Sequence, residues 1–569
     1  MEKLLRINNL AVDFISGEER SVALQDVSLE VKPGEIVAIV GESGSGKSVT
    51  ALSVLQLIPA PPAVYKTGSI VAWTASGETE LLKAPRNRLY KIRGKEIAMI
   101  FQEPMTSLNP VMRCGHQVTE AILAHENIGA AAAKARTLQL FKQVKLPDPE
   151  RVYRSYPHQL SGGQKQRVMI AMAMSCKPEL LICDEPTTAL DVTVQKSILS
   201  LIRELQQESG MGVIFITHDL GVVAEVADRV IVMYRGSIVE ENRTTDIFNN
   251  PEHPYTRALL ACRPARHRKG ERLPVVSDFM QTPDAAQPAA HKPAVITESD
   301  VPALKQQVLV KVEHLKVWFP TRRNFIGKTL AYTRAVDDVS FEVYRGETLG
   351  LVGESGCGKS TLGRAILQLL NVTSGHVIYD GREITGADTT VLKQLRRKMQ
   401  IVFQDPYSSL HPRMTIGDAI AEPLKVHGIA ASRQQRRQEV IGLLEKVGLK
   451  AEHYNRYPHE FSGGQRQRIV IARALSMKPE FIVCDESVSA LDVSVQAQVL
   501  NLLNDLKKEF GLTLIFISHD LSVIRYVSDR IVVMNKGKIE ETGTAEEIYQ
   551  RPRSPYTQKL LAAIPRLHD

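Results

Sequence analysis

Apolar runs of four to six residues recur along this chain, and each leads to residues able to do chemistry. EIVAIV (35–40) runs into GESGSGKS, LLIC (180–183) into Asp184 and Glu185, and GVIFI (212–216) toward His218. The same three return as TLGLV (348–352), FIVC (481–484) and TLIFI (513–517). Runs this short and rich in Val, Ile and Leu predict buried strands. Longer mixed stretches separate them and read as helices. Alternating strands and helices predict an α/β fold with a largely parallel core sheet in each half.

The halves are an internal repeat. YPHQLSGGQKQR, with Ser161, Gly162, Gly163 and Gln164, returns as YPHEFSGGQRQR, with Ser462, Gly463, Gly464 and Gln465. The SGGQ serines, the acidic pairs and the histidines all keep an offset of 301. The glycine-rich loops are 312 apart, so the first half carries about ten extra residues before Gln102. The polar stretch VAWTASGETELLKAPRN is the expected place for them. The segment 265–305 is rich in Pro, Ala and charge and has no hydrophobic period. It is expected to tether a first domain, 1–264, to a second, 306–569, with a small regulatory subdomain folded onto the first half as the alternative.

The glycine-rich loops fit G-x-x-x-x-G-K-[ST]. The first is Gly41, Glu42, Ser43, Gly44, Ser45, Gly46, Lys47 and Ser48. The second is Gly353, Glu354, Ser355, Gly356, Cys357, Gly358, Lys359 and Ser360, followed by Thr361. Glycine lets the backbone wrap closely around phosphates, and the following helix N-terminus faces the anion. Lysine reaches the β- and γ-phosphates, while Ser48 or Ser360 offers a hydroxyl to Mg2+. One such match occurs by chance; two, each between a strand and a helix, point to nucleotide binding.

Composition narrows the class. The chain has 569 residues, 43% hydrophobic and 24% charged, with no apolar stretch near 18 residues. Six cysteines are scattered without a CxxC pair, which argues against zinc or a disulfide framework and fits a reducing compartment. A net charge of +8 is spread over both halves without a long basic run, as solvated surface.

The ordered set of P-loop, Gln102 or Gln404, SGGQ, acidic pair and histidine resembles the ATP-binding-cassette ATPases. The resemblance covers both halves and implies two tandem cassettes. Each has a mainly parallel core sheet, an antiparallel β subdomain and a helical subdomain. It further implies that the P-loop of one cassette faces the SGGQ of the other across ATP, which is why one chain carries the motif set twice. Asp184 and Asp485 are then expected to hold Mg2+ with Ser48 and Ser360. Glu185 and Glu486 are the expected general bases, His218 and His519 contact the γ-phosphate, and Gln102 and Gln404 touch Mg2+ or the attacking water. Pro186 against Ser487 is the visible asymmetry between the two sites. Phe14 and Phe319 are candidates to stack on adenine, with Tyr332 a rival and core packing an alternative.

FQEPMTSLNP, FQDPYSSLHP, HPYTRALL (253–260) and SPYTQKLL (554–561) resemble the peptide and nickel importer branch of that family. This implies an ATP-hydrolysing motor for uptake of glutathione or a related small peptide, with other oligopeptides or nickel as alternatives. It also implies two membrane-spanning permease subunits, a substrate-binding protein, and a peripheral place on the cytoplasmic face of the bacterial inner membrane. Segments 104–110 and 406–412, with Leu108 and Leu410, are expected to line the groove for permease helices. Some relatives carry an iron–sulfur motif after the HPYT segment; here only Cys262 follows it, so no cluster is expected. A ribosome- or DNA-acting twin cassette is the different-class alternative. It is disfavoured by the Pro/Ala linker and the lack of zinc-binding cysteine pairs.

Overall fold

A computed structural model describes residues 3–17, 19–187, 190–280, 307–323, 329–429, 432–489 and 491–564. The chain forms two compact units. One holds the described residues up to Leu260, with Phe279 and Met280; the other takes Ala261–Asp278 and the described residues 307–564.

Each unit is built on a six-stranded sheet. In the first the order is Ser237–Arg243, Arg229–Tyr234, Ile36–Val40, Gly212–Ile216, Leu180–Asp184, Ile97–Ile100. All neighbours are parallel except the hairpin of Arg229–Tyr234 with Ser237–Arg243. In the second it is Met399–Val402, Phe481–Asp485, Thr513–Ile517, Thr348–Val352, Arg530–Asn535, Lys538–Thr544, again with one antiparallel pair at the end. Every residue of Ile36–Val40, Leu180–Asp184 and Gly212–Ile216 is buried, which explains why these strands read as continuous apolar runs.

A four-stranded antiparallel sheet flanks each core: Leu5–Ser16 with Glu19–Val31, Ala63–Thr74 and Gly77–Glu80, and Val308–Arg323 with Thr329–Tyr344, Ser374–Tyr379 and Arg382–Glu383. Helical subdomains carry Cys114–His125, Ala130–Gln143 and Gly162–Ala173 in one unit and Ile416–Val426, Arg433–Lys446 and Gly463–Leu475 in the other.

The register locates the extra residues of the first half. Ile70 pairs with Ile7 as Val377 pairs with Val312, an offset of 307 (377 − 70). The offset is 312 at the P-loop and 302 (404 − 102) at the glutamines. About half of the insertion therefore precedes Ile70, where it lengthens the strand so that Ala63, Val64 and Tyr65 pair with Phe14, Asp13 and Val12. Only the remainder falls in the polar stretch that the sequence singles out.

Of the expected tether, residues 281–305 lie outside the described residues. The preceding part is an ordered strap on the second unit. The Asn501 side chain accepts from the Leu273 N–H at 2.9 Å and donates to its C=O at 2.8 Å. Tyr526 Oη donates to the Glu271 C=O at 2.6 Å, and Arg272 pairs with Asp505 at 2.9 Å. Lys269 pairs with Asp529, and Leu273 is fully buried. No helix among the described residues is long and apolar enough to cross a membrane.

Candidate functional site

Both P-loops close on themselves in the same way. Lys47 Nζ donates to the carbonyls of Gly41 and Glu42, each at 2.8 Å; Lys359 Nζ donates to those of Gly353 and Glu354 at 2.8 and 2.9 Å. Gly46 and Gly358 cap the next helix at φ 102° and 108°. A Cβ at Gly358 would stand 2.0 Å from the Ala335 carbonyl, and one at Gly46 would lie 2.6 Å from Leu24. The loop thus leaves a backbone cradle at a helix N-terminus, which fits the phosphates of a nucleotide.

The strand carrying each acidic pair ends beside that helix. Ser48 Oγ donates to Asp184 Oδ1 at 2.9 Å, and Ser360 Oγ to Asp485 Oδ1 at 2.7 Å. Burial pushes both aspartates above the ordinary carboxylate range, and the serine hydroxyls offset this only in part. A hydroxyl and a buried, costly carboxylate side by side are a hard-oxygen donor set, suited to Mg2+. The second site has a further group: Arg364 Nη2 lies 3.6 Å from Asp485 Oδ2, whereas Leu52 holds the equivalent position of the first helix.

The glutamates gather the remaining candidates. Gln102 Nε2 donates to Glu185 Oε2 at 3.1 Å, with His218 Nδ1 3.2 Å from the same oxygen. Gln404 Nε2 donates to Glu486 Oε2 at 2.8 Å, with His519 Nδ1 at 3.5 Å. Both glutamates occupy the left-handed region, at φ 48° and 47°. Their amides extend the sheet ladder by bonding the carbonyls of Ile216 and Ile517, at 3.0 Å each. Pro186 and Ser487 therefore leave their glutamates in matching geometry. Strain of this kind persists only where surrounding bonds enforce it. Burial alone would raise the Glu486 pKa, but His519 and the Lys359 charge outweigh it and hold the carboxylate below its usual range.

The SGGQ serines cap long helices. Ser161 Oγ accepts from the Gln164 N–H at 3.3 Å, and Gln164 Oε1 accepts from the Ser161 N–H at 3.1 Å; Ser462 and Gln465 repeat both distances. A Cβ at Gly163 or Gly464 would stand 2.6 or 2.2 Å from Val194 or Val495. Glycine is thus required there for helix packing as well.

Leu108 and Leu410 do not line an open groove. They are 1% and 3% exposed; Leu108 belongs to the core cluster with Val118 and Leu160, because it is the apolar anchor of its segment. Exposed apolar residues near these segments, among the described ones, include Phe101, Val111 and Tyr407. In the second unit a groove of about 430 Å3 does open beside Phe403, Ser409, Pro423 and Val426. Phe14 packs partly buried against its core, while Phe319 and Tyr332 are exposed.

One pair of residues at the loops escaped the sequence reading. Tyr255 Oη accepts from the Glu42 N–H at 3.0 Å, and Tyr556 Oη from the Glu354 N–H at 3.1 Å. Their sole sequence signal was their place in the repeated PYT triplet.

The family description "ABC transporter" matches residues 24–188 and 336–489, and "Oligopeptide/dipeptide transporter, C-terminal region" matches 239–288 and 541–569. The chain is 48% identical over 566 residues to a protein of Pectobacterium atrosepticum named "Glutathione import ATP-binding protein GsiA", covering 99% of this chain and 90% of that one. A protein of the same name from Escherichia coli K12 is 47% identical over 568 residues, covering 99% and 89%. Among solved structures, the dimeric MJ0796, a bacterial ABC transporter cassette, matches 42% of this chain and 99% of its own at 29% identity and a TM-score of 0.38.

Proposed function

The chain belongs to the ABC transporter family of ATPases, and we propose that it drives uptake of glutathione or a closely related small peptide through membrane subunits outside this chain. The observation that carries the reading is the double occurrence, in one chain, of a complete hydrolytic set and a peptide-transporter C-terminal region. Near-full-length similarity to relatives named for glutathione import supports that cargo over other oligopeptides or nickel.

The residues of each site have separable tasks. The P-loop amides and Lys47 or Lys359 hold the phosphates. Ser48 with Asp184, and Ser360 with Asp485, would hold Mg2+; when bound, the ion neutralises phosphate oxygens and orients them. Glu185 or Glu486 accepts a proton from the attacking water. Gln102 or Gln404 and His218 or His519, already bonded to that carboxylate, fix its direction and exchange this bond for contacts to water and γ-phosphate. The glutamine then reports the state of the site to the segment that follows it. In the second unit that segment borders the groove beside Phe403, which suits an amphipathic helix of a permease. Two permeases, a substrate-binding protein and a peripheral place at the cytoplasmic face of the inner membrane complete this reading.

The test is ATP hydrolysis by the transporter reconstituted with its membrane subunits and binding protein. Glutathione should stimulate it more than a panel of dipeptides, longer peptides or nickel. Stimulation by another member of the panel and not by glutathione would reassign the cargo.

A further inference from the structure

The PYT triplet, with its preceding His253 or Ser554, has a physical role in each half. Glu240 accepts the backbone N–H groups of Glu252 and His253 at 2.8 and 3.0 Å; Glu541 accepts those of Arg553 and Ser554 at the same distances. The next side chain caps a helix: His253 Nδ1 accepts from the Tyr255 N–H at 3.1 Å, and Ser554 Oγ from the Tyr556 N–H at 3.2 Å. Pro254 and Pro555 open helices Pro254–Ala261 and Pro555–Ala562, where a missing N–H costs nothing. The clasp thereby fixes one direction for the tyrosine, toward the phosphate loop of its own unit.

What the tyrosine touches is the same residue that the lysine touches. Glu42 gives its N–H to Tyr255 Oη and its C=O to Lys47 Nζ; Glu354 gives its N–H to Tyr556 Oη and its C=O to Lys359 Nζ. The loop is held on its far side as well. Gly236 N–H donates to the Ser45 carbonyl at 3.0 Å, and Gly537 N–H to that of Cys357 at 2.9 Å. Tyr255 is fully buried and its ring lies 4.3 Å from that of Tyr234; Tyr556 is half-buried, with Asn535 at the matching position.

We propose that Tyr255 and Tyr556 are positioning residues for nucleotide binding: their hydroxyls hold the first turn of each P-loop in the shape that receives phosphate. This rests on the reading of both loops as ATP sites. It assigns to the C-terminal peptide-transporter region a task inside the motor itself. Removing one buried hydrogen bond that preorganises a loop is expected to weaken binding on the order of fivefold. The effect should be larger at Tyr255, which is sealed from water, than at Tyr556.

The experiment uses the full chain with Tyr255→Phe, Tyr556→Phe and both together, since phenylalanine keeps the ring in place. Three quantities are read: equilibrium binding of ATP, amide hydrogen exchange over 41–48 and 353–360, and the melting temperature without nucleotide. The expected result is weaker ATP binding and faster loop exchange in the variants. Binding and loop exchange unchanged in the double variant would overturn the proposal, as would a lowered melting temperature with wild-type ATP affinity. Failure of the wild-type chain to bind ATP would instead overturn the reading of the loops on which the proposal stands.

Discussion

Gln404 Nε2 donates a 2.8 Å hydrogen bond to Glu486 Oε2, joining the end of one core strand to the residue after its neighbour. Gln102 and Glu185 repeat the bond at 3.1 Å. The glutamine begins the segment that leads into the helical subdomain, so the proposed general base and the proposed coupling surface share one side chain. Any movement of that segment must stretch or break this bond.

Coupling is therefore tested on the segment's exposed side. Val111→Asp and Tyr407→Asp place charge where the side chains are 79% and 53% exposed, so the fold should tolerate them. Transport by the assembled complex should fall severalfold while ATP binding is unchanged. Leu108→Asp is a poorer probe, because burying an unpaired charge in that core destabilises the helical subdomain itself. Normal transport by both exposed-site variants would displace the proposed contact.

The guanidinium of Arg364 near Asp485 should make the second site bind divalent cation less tightly than the first. Arg364 is 44% exposed, so the effect is modest, roughly two- to fivefold. Arg364→Leu, which copies Leu52 of the first site, should raise affinity at the second. Titration of Mn2+ in place of Mg2+, followed by electron paramagnetic resonance with ATP present, would show two classes of site merging into one. An unchanged titration would contradict this.

The strap on the second unit should report acid. Burial would raise the Asp529 pKa, yet Lys269 and Lys507 outweigh it and hold the carboxylate below its ordinary value. A depressed folded pKa contributes stability above the unfolded value and loses it as pH falls through the folded one. Protection of the strap amides should therefore stay level down to about pH 4 and then decline. Asp529→Asn should flatten that decline. At neutral pH, Asn501→Ala should speed exchange at Leu273 by leaving both of its backbone groups unpaired, a loss of about 2 kcal/mol. Unaltered exchange at Leu273 would show that the strap is held by other contacts.

Most of the candidate site was legible because its residues sit next to buried strands: Asp184, Glu185 and His218 each follow an apolar run, and the P-loop follows another. Strand order then brings them together without further information. The tyrosine contacts were not legible, since Tyr255 and Glu42 are 213 residues apart and only the folded clasp aims one at the other. Arg364 differs from Leu52 in plain view, yet its approach to Asp485 depends on side-chain direction. Leu108 was expected in the permease groove and is instead a core residue, because packing decides which apolar side chain of a short segment turns inward. The insertion before Gln102 was countable but could not be divided, because strand register is set by pairing partners.

We propose that both sites hydrolyse ATP and that turnover needs both. The most direct measurement is ATP hydrolysis by the assembled transporter carrying Glu185→Gln or Glu486→Gln. Loss of a general base costs on the order of 10²–10⁴-fold at its own site. Each single variant should suppress most of the total rate, because neither site carries a visible defect and each glutamate has its glutamine and histidine in place. A near-wild-type rate from either variant would mean that one of these two matched sites is dispensable and that turnover does not need both.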